Sequence, residues 1–294
     1  MDPTSLTPLP GGHSGQTFLG EAAGERTVVR ILEPSSNRAE VDAALLRLVR
    51  GLLPVPAVLE VRRGDPAADV PALLVTSFLP GTRGDLLLPT LEEPGLAAVG
   101  ANLGDLLADL GGMPMLSFGP FVDGELTIGS FGDFDGLPEF VDGYAPTLGW
   151  SDDELAGLRE VAVDAQALLD TVGRWCLVHS DVNPKNLLFD PQTLEVTGLL
   201  DWEFAHAGHP FTDLGNLLRF DRQPAYVEAV LAAYCDRRGG TPAAALDLAR
   251  AADLWALVEL ASRRAQNPVA DRAHDLLRAI ARERDLHATA GWTG

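Results

Sequence analysis

Lysine is almost missing from this chain: Lys185 is the only one in 294 residues. Basic residues of both kinds number 22 against 42 acidic ones, a formal charge of −20. A surface this short of positive charge argues against nucleic acid or an anionic membrane as partner, since both are bound through basic patches. It suits a cationic ligand, although solubility alone also accounts for an acidic surface. Cysteine is scarce too. Cys176 and Cys235 are the only two, too few for a disulfide framework, so a reducing, cytoplasmic setting is expected. No apolar run reaches the roughly 18 residues of a membrane-spanning helix. The opening MDPTSLTPLP has neither a basic n-region nor an apolar h-region, so no signal peptide is expected. No internal repeat occurs, and the length allows one large domain or two ordinary ones.

What is present changes character along the chain. In GGHSGQTFLGEAAGERTVVRIL, a glycine-rich turn precedes an apolar, β-branched run from Val28 to Leu32, which predicts a hairpin. Apolar residues at Val41, Ala44, Leu45, Leu48 and Val49 then follow helical spacing, with Ser35 or Ser36 as the expected N-cap. VPAVLEVRRG and VPALLVTSFLPG read as two strands around a turn at Gly64, Asp65 and Pro66. Beyond Gly81 the pattern becomes helical. Val99, Leu103, Leu106, Leu107 and Leu110 share one face of a helix that stops at Gly111 and Gly112. Ser151 and Glu154 form a capping box opening the next long helix, and the last part is Ala/Leu/Arg helix broken at Gly239, Gly240 and Pro268.

One stretch resists a purely structural reading. CLVHSDVNPKNLLFD, residues 176–190, places polar residues in a loop between two segments that both want burial. NLLFD and VTGLLDW read as a hairpin turning near Pro191 and Gln192, which returns Asp201 toward the loop. Asp181, Asn186 and Asp201 then converge. Two carboxylates and a carboxamide are hard oxygen ligands suited to Mg²⁺, and an aspartate beside them is placed to accept a proton from a hydroxyl. Asn183 and Asp190 read as capping residues of the loop. His179, His206 and His209 fit no zinc-ligand spacing, and His179 reads as a packed anchor. The glycine-rich turn, with Gly12, Ser14 and Gly15, is suited to laying backbone N–H groups over phosphates.

HSDVNPKN carries the H-x-D-x-x-x-x-N spacing of kinase catalytic loops. LLDWEFAHAGHPFTDLGNLLR resembles the metal-binding segment of the aminoglycoside phosphotransferase and choline kinase-like small-molecule kinases, with Pro210, Asp213 and Leu214 matching its P-x-x-D-L. LGDLLADLGGMP is similar to a further family segment, with Gly111 where a histidine is usual. The resemblance runs from about residue 10 to about residue 220 and fades toward the C-terminus.

It implies an α+β, two-lobed protein-kinase-like fold: a small β-rich N-lobe over 1–79 that binds nucleotide, and a large, mainly helical C-lobe over 80–294. It also implies an ATP- (or GTP-) and Mg²⁺-dependent O-phosphotransferase. Asp181 would be the catalytic base or hydroxyl-orienting residue, Asn186 and Asp201 the metal ligands, and Asp213 the brace of the loop. TVVRIL stands where kinases carry VAIK, so Arg30 takes the lysine position and Glu40 the place of its helix partner. LLVTSFLPG resembles the hinge, whose backbone around Ser77 and Leu79 would meet the adenine edge. The implied substrate is a hydroxylated small molecule, first an aminoglycoside or similar antibiotic and next a sugar, choline-like or amino-alcohol metabolite; a monomer or homodimer fits. A nucleotide-binding regulator with little catalysis is the competing class, motivated by Arg30. Asp133, Asp135, Glu139 and Asp142, with Glu228, Asp236, Asp253 and Glu259, read either as solvated acids or as groups that meet substrate amines.

Overall fold

β-Branched and alternating segments put the first third of the chain into strands. A computed structural model describes residues 5–9, 15–22, 24–132, 135–221 and 223–291. Five strands, β1 (Ser5–Pro8), β2 (Gln16–Ala22), β3 (Glu25–Leu32), β4 (Val58–Arg62) and β5 (Ala72–Ser77), form an antiparallel sheet of order β1-β2-β3-β5-β4. Arg30 stands near the middle of β3, opposite Thr17 on one side and Leu74 on the other. Helix α1 (Arg38–Val49) follows β3 and buries Ala39 and Ala43 against Leu32, Ala72 and Leu74 of the sheet. It starts later than expected: Asn37 is the N-cap and makes no capping bond, while Ser36 Oγ accepts the Arg38 N–H at 3.2 Å.

A second, three-stranded sheet has the order β8-β7-β6, from β6 (Thr82–Arg83), β7 (Leu187–Phe189) and β8 (Val196–Leu199). The expected hairpin after the loop is therefore present, and it recruits the chain just past Gly81. Gly81 has φ +147°, and a Cβ there would meet Thr197 Oγ1 at 2.5 Å, so both backbone conformation and space require glycine.

Contacts divide the chain into two compact units. One comprises Met1–Leu91, Gly119–Ser130 and Asp181–Ala207; the other comprises Glu92–Phe118, Phe131–Ser180 and Gly208–Gly294. The second is built on α2 (Glu93–Leu110), α3 (Leu137–Leu148), α4 (Asp152–Leu169), α5 (Thr212–Leu218), α6 (Pro224–Arg238), α7 (Pro242–Ser262) and α8 (Pro268–Glu283). The face foreseen on α2 is buried, and the helix ends at Gly111. Gly100 and Gly104 let α2 approach α6 closely, because a Cβ on either would sit 2.7 Å and 2.4 Å from the carbonyl oxygens of Tyr226 and Val230. At the start of α4 both halves of the capping box form between Ser151 and Glu154. Leu158, Val161, Leu254, Leu257 and Leu277 belong to the core that these helices enclose.

The sequence thus has a β-sheet amino-terminal region and a helical carboxy-terminal region, the expected α+β arrangement. Among the described residues no helix is long and apolar enough to cross a membrane. Both cysteines are free and buried, and burial pushes the Cys176 thiol up to about 12.

Candidate active site

The loop begins where a buried strand ends. Cys176, Leu177 and Val178 of Trp175–Val178 are buried, as is His179. Ser180 then turns the chain with a left-handed φ of +64°. That turn leaves two backbone N–H groups pointing the same way, and one carboxylate takes both. Asp213 accepts from His179 N at 2.9 Å and from Ser180 N at 2.7 Å. The bracing expected of Asp213 is therefore a pair of bonds to the two residues before Asp181.

Asp181 itself is held by two amides. Asn183 Nδ2 donates to its Oδ1 at 2.9 Å, and Asn186 Nδ2 donates to its Oδ2 at 2.7 Å and to its carbonyl at 3.0 Å. Asn183 Oδ1 also accepts the Lys185 N–H at 2.9 Å, capping the one-turn helix Pro184–Asn186. Capping is what the sequence suggested for Asn183; the grip on Asp181 was missed. With its NH₂ group turned to Asp181, Asn186 has its carbonyl oxygen left as the atom able to ligate a cation. Asp190, at the far end of β7, accepts from Gln192 N and Thr193 N and is a turn residue.

Asp201 follows β8 in a left-handed conformation, φ +64° and ψ +70°. The Leu200 N–H donates to the Asn186 carbonyl at 2.8 Å, which ties this strand end to the loop. Desolvation pushes the Asp201 carboxyl up to about 6; Arg30 opposes the shift, while Glu203, Asp181 and Asp42 add to it. Asp181, Asn186 and Asp201 are thus brought together as expected.

Arg30 comes to the same place with different company. Its guanidinium lies 3.3 Å from Asp42 Oδ2, 3.5 Å from Asp201 Oδ1 and 3.5 Å from Glu203 Oε2. The expected pairing with Glu40 does not form. Glu40 holds Arg63 instead, with contacts of 2.7–3.1 Å, and Asp42 takes the inner position. The reason is helical phase. Two residues are about 200° apart around a helix, so Glu40 and Asp42 cannot both face the sheet. The buried stripe of α1 runs through Ala39, Val41, Asp42, Ala43, Leu45, Leu46 and Val49, and Leu48, expected inside, is 44% exposed. Asp42 is 2% exposed; burial raises its carboxyl above the ordinary range against the opposing pull of Arg38 and Arg30. Arg38 Nε donates to Asp42 Oδ1 at 2.6 Å, and the other arm of that guanidinium donates to the Trp202 carbonyl at 2.8 Å.

Four carboxylates (Asp42, Asp181, Asp201 and Glu203) therefore bear on a region holding the two guanidiniums of Arg30 and Arg38. The imbalance and the hard oxygen donors fit a divalent cation. Among the described residues no group of three or more His, Cys, Asp or Glu forms a ready-made metal cage. Mg²⁺ is usually held by one or two carboxylates and completed by substrate phosphates and water, a donor set that Asp201 and the Asn186 side-chain carbonyl oxygen fit.

The other expected positions are more peripheral. Ser77 commits its N–H to the Ala57 carbonyl at 2.8 Å and its hydroxyl to the Ala57 N–H at 2.9 Å, so the chain after it, toward Leu79, is what remains for a hinge. A Cβ on Gly15 would meet the Ile31 carbonyl at 2.6 Å, so this glycine permits close packing on β3. Gly12 and Ser14, like Asp133, lie outside the described residues.

The model of the family described as "Phosphotransferase enzyme family" matches residues 5–252, and the chain belongs to that family. Acyl-CoA dehydrogenase family member 11 of Mus musculus is 33% identical over 93 residues, covering 26% of this chain and 12% of the relative. Acyl-CoA dehydrogenase family member 10 of the same species is 26% identical over 221 residues, covering 72% of this chain and 20% of the relative. The chain thus spans a fifth or less of these curated relatives. A thermostable mutant of aminoglycoside phosphotransferase APH(4)-Ia, solved as a ternary complex with AMP-PNP and hygromycin B, superposes with a TM-score of 0.62 at 20% identity, covering 95% of this chain and 91% of that one. The family is one of phosphotransferase enzymes, and the fold is that of the aminoglycoside phosphotransferase structure.

Proposed function

We propose that this chain is an ATP- and Mg²⁺-dependent O-phosphotransferase acting on a hydroxyl of a small molecule. The observation that carries the reading is the clamp on Asp181 beside an electron-rich, under-neutralised pair of candidate ligands. Both carboxylate oxygens of Asp181 accept from carboxamides, so the side chain is fixed in one orientation before substrate arrives. Such a carboxylate is suited to aligning a hydroxyl for in-line attack and taking up its proton as the new bond forms.

Asn186 Oδ1 and Asp201 would hold Mg²⁺. When bound, the metal neutralises charge on the transferring phosphoryl group. Arg30 would hold the α- and β-phosphates, with Asp42 as its anchor on α1. A guanidinium suits this role because it offers planar, bidentate bonds and stays charged at every relevant pH. Gly12, Ser14 and Gly15 would lay N–H groups over the phosphates, and the backbone near Leu79 would meet the adenine edge. The substrate class we favour is a hydroxylated, cationic compound of aminoglycoside type. The charge of −20 supports it, as does hygromycin B in the structurally similar enzyme.

ADP release measured against a panel of aminoglycosides, amino alcohols and sugars, with and without Mg²⁺, tests the reading. Turnover that requires both Mg²⁺ and one class of hydroxylated acceptor is expected. Nucleotide binding without turnover on any member would favour a regulator.

A further inference from the structure

Arg38 is in the wrong place for its own helix. It is the first residue of α1, where the helix dipole presents partial positive charge and disfavours a cation. Its acidic partner lies one turn later, at Asp42, and the order cation-then-anion is the weaker arrangement of an i, i+4 pair. Local helix energetics therefore do not account for an arginine here. A residue that breaks a local rule invites a search for what it does at longer range.

Two bonds answer that search. Arg38 donates Nε to Asp42 Oδ1 at 2.6 Å, and its terminal nitrogen, 2.5 Å from the same oxygen, also donates to the Trp202 carbonyl at 2.8 Å, across 164 positions of sequence. Trp202 directly follows Asp201. Its indole is buried and donates to the Leu199 carbonyl at 3.2 Å, which closes the turn on itself. Asp201 sits at the bend of that turn in a left-handed conformation, which a non-glycine residue keeps only where its surroundings hold it. The carbonyl that Arg38 grips lies in the peptide plane between Trp202 and Glu203, one plane beyond Asp201. The bond therefore holds the turn immediately after Asp201 and the start of Glu203, whose carboxylate lies 3.5 Å from Arg30. The same guanidinium holds Asp42, which in turn contacts Arg30 at 3.3 Å.

We infer that Arg38 is a positioning residue that sets the metal-binding carboxylate of Asp201 and the phosphate-binding guanidinium of Arg30 in fixed relation to each other. The inference rests on the reading of Asp201 as a Mg²⁺ ligand. Arg38 touches neither nucleotide nor metal in this scheme. A lysine ammonium could take the place of the terminal nitrogen between Asp42 and the Trp202 carbonyl, but on a flexible stem it lacks the second nitrogen that fixes the guanidinium on Asp42.

The test uses the full chain and three variants, Arg38→Gln, Arg38→Lys and Asp201→Asn. The affinity for ADP is measured by calorimetry with and without Mg²⁺, beside the unliganded melting temperature. Residues that orient a metal ligand typically change metal affinity by about 10–100-fold when lost. Arg38→Gln is therefore expected to cut the Mg²⁺-dependent gain in ADP affinity by at least about tenfold, with a smaller loss of metal-free ADP binding through Arg30. Arg38→Lys keeps the charge opposite Asp42, so it retains the fold and recovers only part of the gain. Should Arg38→Gln fail to fold, the Lys variant alone decides. An unaltered Mg²⁺-dependent gain in the folded Arg38 variants overturns the inference, as does an equal loss with and without metal. Asp201→Asn separates the two levels: if it keeps the full gain, the metal-ligand reading fails and the Arg38 inference fails with it. Loss in Asp201→Asn but not in the Arg38 variants sinks only the inference.

Discussion

Two sets of charged groups in this chain obey opposite rules. In the helical unit, Arg219 and Asp253 meet as a bidentate pair at 2.9 and 2.7 Å, each almost fully buried. Glu154 accepts from Arg278 and Arg282, and these bonds with the Ser151 N–H hold its carboxyl down at about 2. Carboxylates there are matched or over-matched by cations. In the unit that carries the loop, desolvation and neighbouring carboxylates outweigh Arg30 at Asp201, and its carboxyl is pushed up to about 6. Groups that only hold a fold together are commonly neutralised within it; a carboxylate kept short of positive charge, as at Asp201, is a candidate for completion by a ligand.

The comparison breaks most sharply at Asp181. Asp181→Asn should lower kcat by roughly 10²–10⁴-fold, the range for a positioned general base, and leave ADP binding intact. Steady-state turnover and calorimetry check it; near-parental kcat removes Asp181 from the chemistry. Next is the matched pair. Arg219→Ala strands a buried carboxylate and should cost about 3–5 kcal/mol in denaturant unfolding. A smaller loss would show that Asp253 finds water or another partner.

The unmatched site makes a pH prediction. In the proposed role Asp201 would have to be ionised to hold Mg²⁺, and a raised carboxyl keeps its proton to higher pH. Mg²⁺-dependent ADP binding should therefore be full above about pH 7 and weaken as pH falls through about 6. Asp201→Asn should abolish that pH step along with the metal dependence. A step that persists in the variant belongs to another group. The smallest effects separate the two acids of α1. Asp42→Asn should weaken ADP binding about tenfold through Arg30, since a buried ion pair is broken. Glu40→Ala frees only the exposed Arg63 and should change nothing measurable in the same titration.

Much of this was legible in the residues. The α2 stripe, the Ser151–Glu154 capping box and the hairpin after the loop follow from local periodicity and turn chemistry, which the fold does not override. Asp181, Asn186 and Asp201 could be grouped because a short hairpin separates them, so their proximity is nearly a local matter. Asp42 could not. Apolar spacing put Leu48 on the inner face of α1, and the true stripe, turned toward Ala39, Ala43 and Leu46, brings an acid inward where pattern reading expects an apolar residue. Arg38 and Glu203 were missed for a related reason. Their partners lie on strands and turns far away in sequence, and no periodicity records such bonds.

The loop also offers a practical handle. Lys185 sits exposed on the one-turn helix between Asn183 and Asn186, both of which grip Asp181. Because no other lysine exists in the sequence, an amine-reactive fluorophore would mark this side chain and, besides it, only a chain-terminal amine. Such a dye would sit four residues along the chain from Asp181, so conjugation chemistry alone would turn the proposed site into an optical sensor of its own ligands.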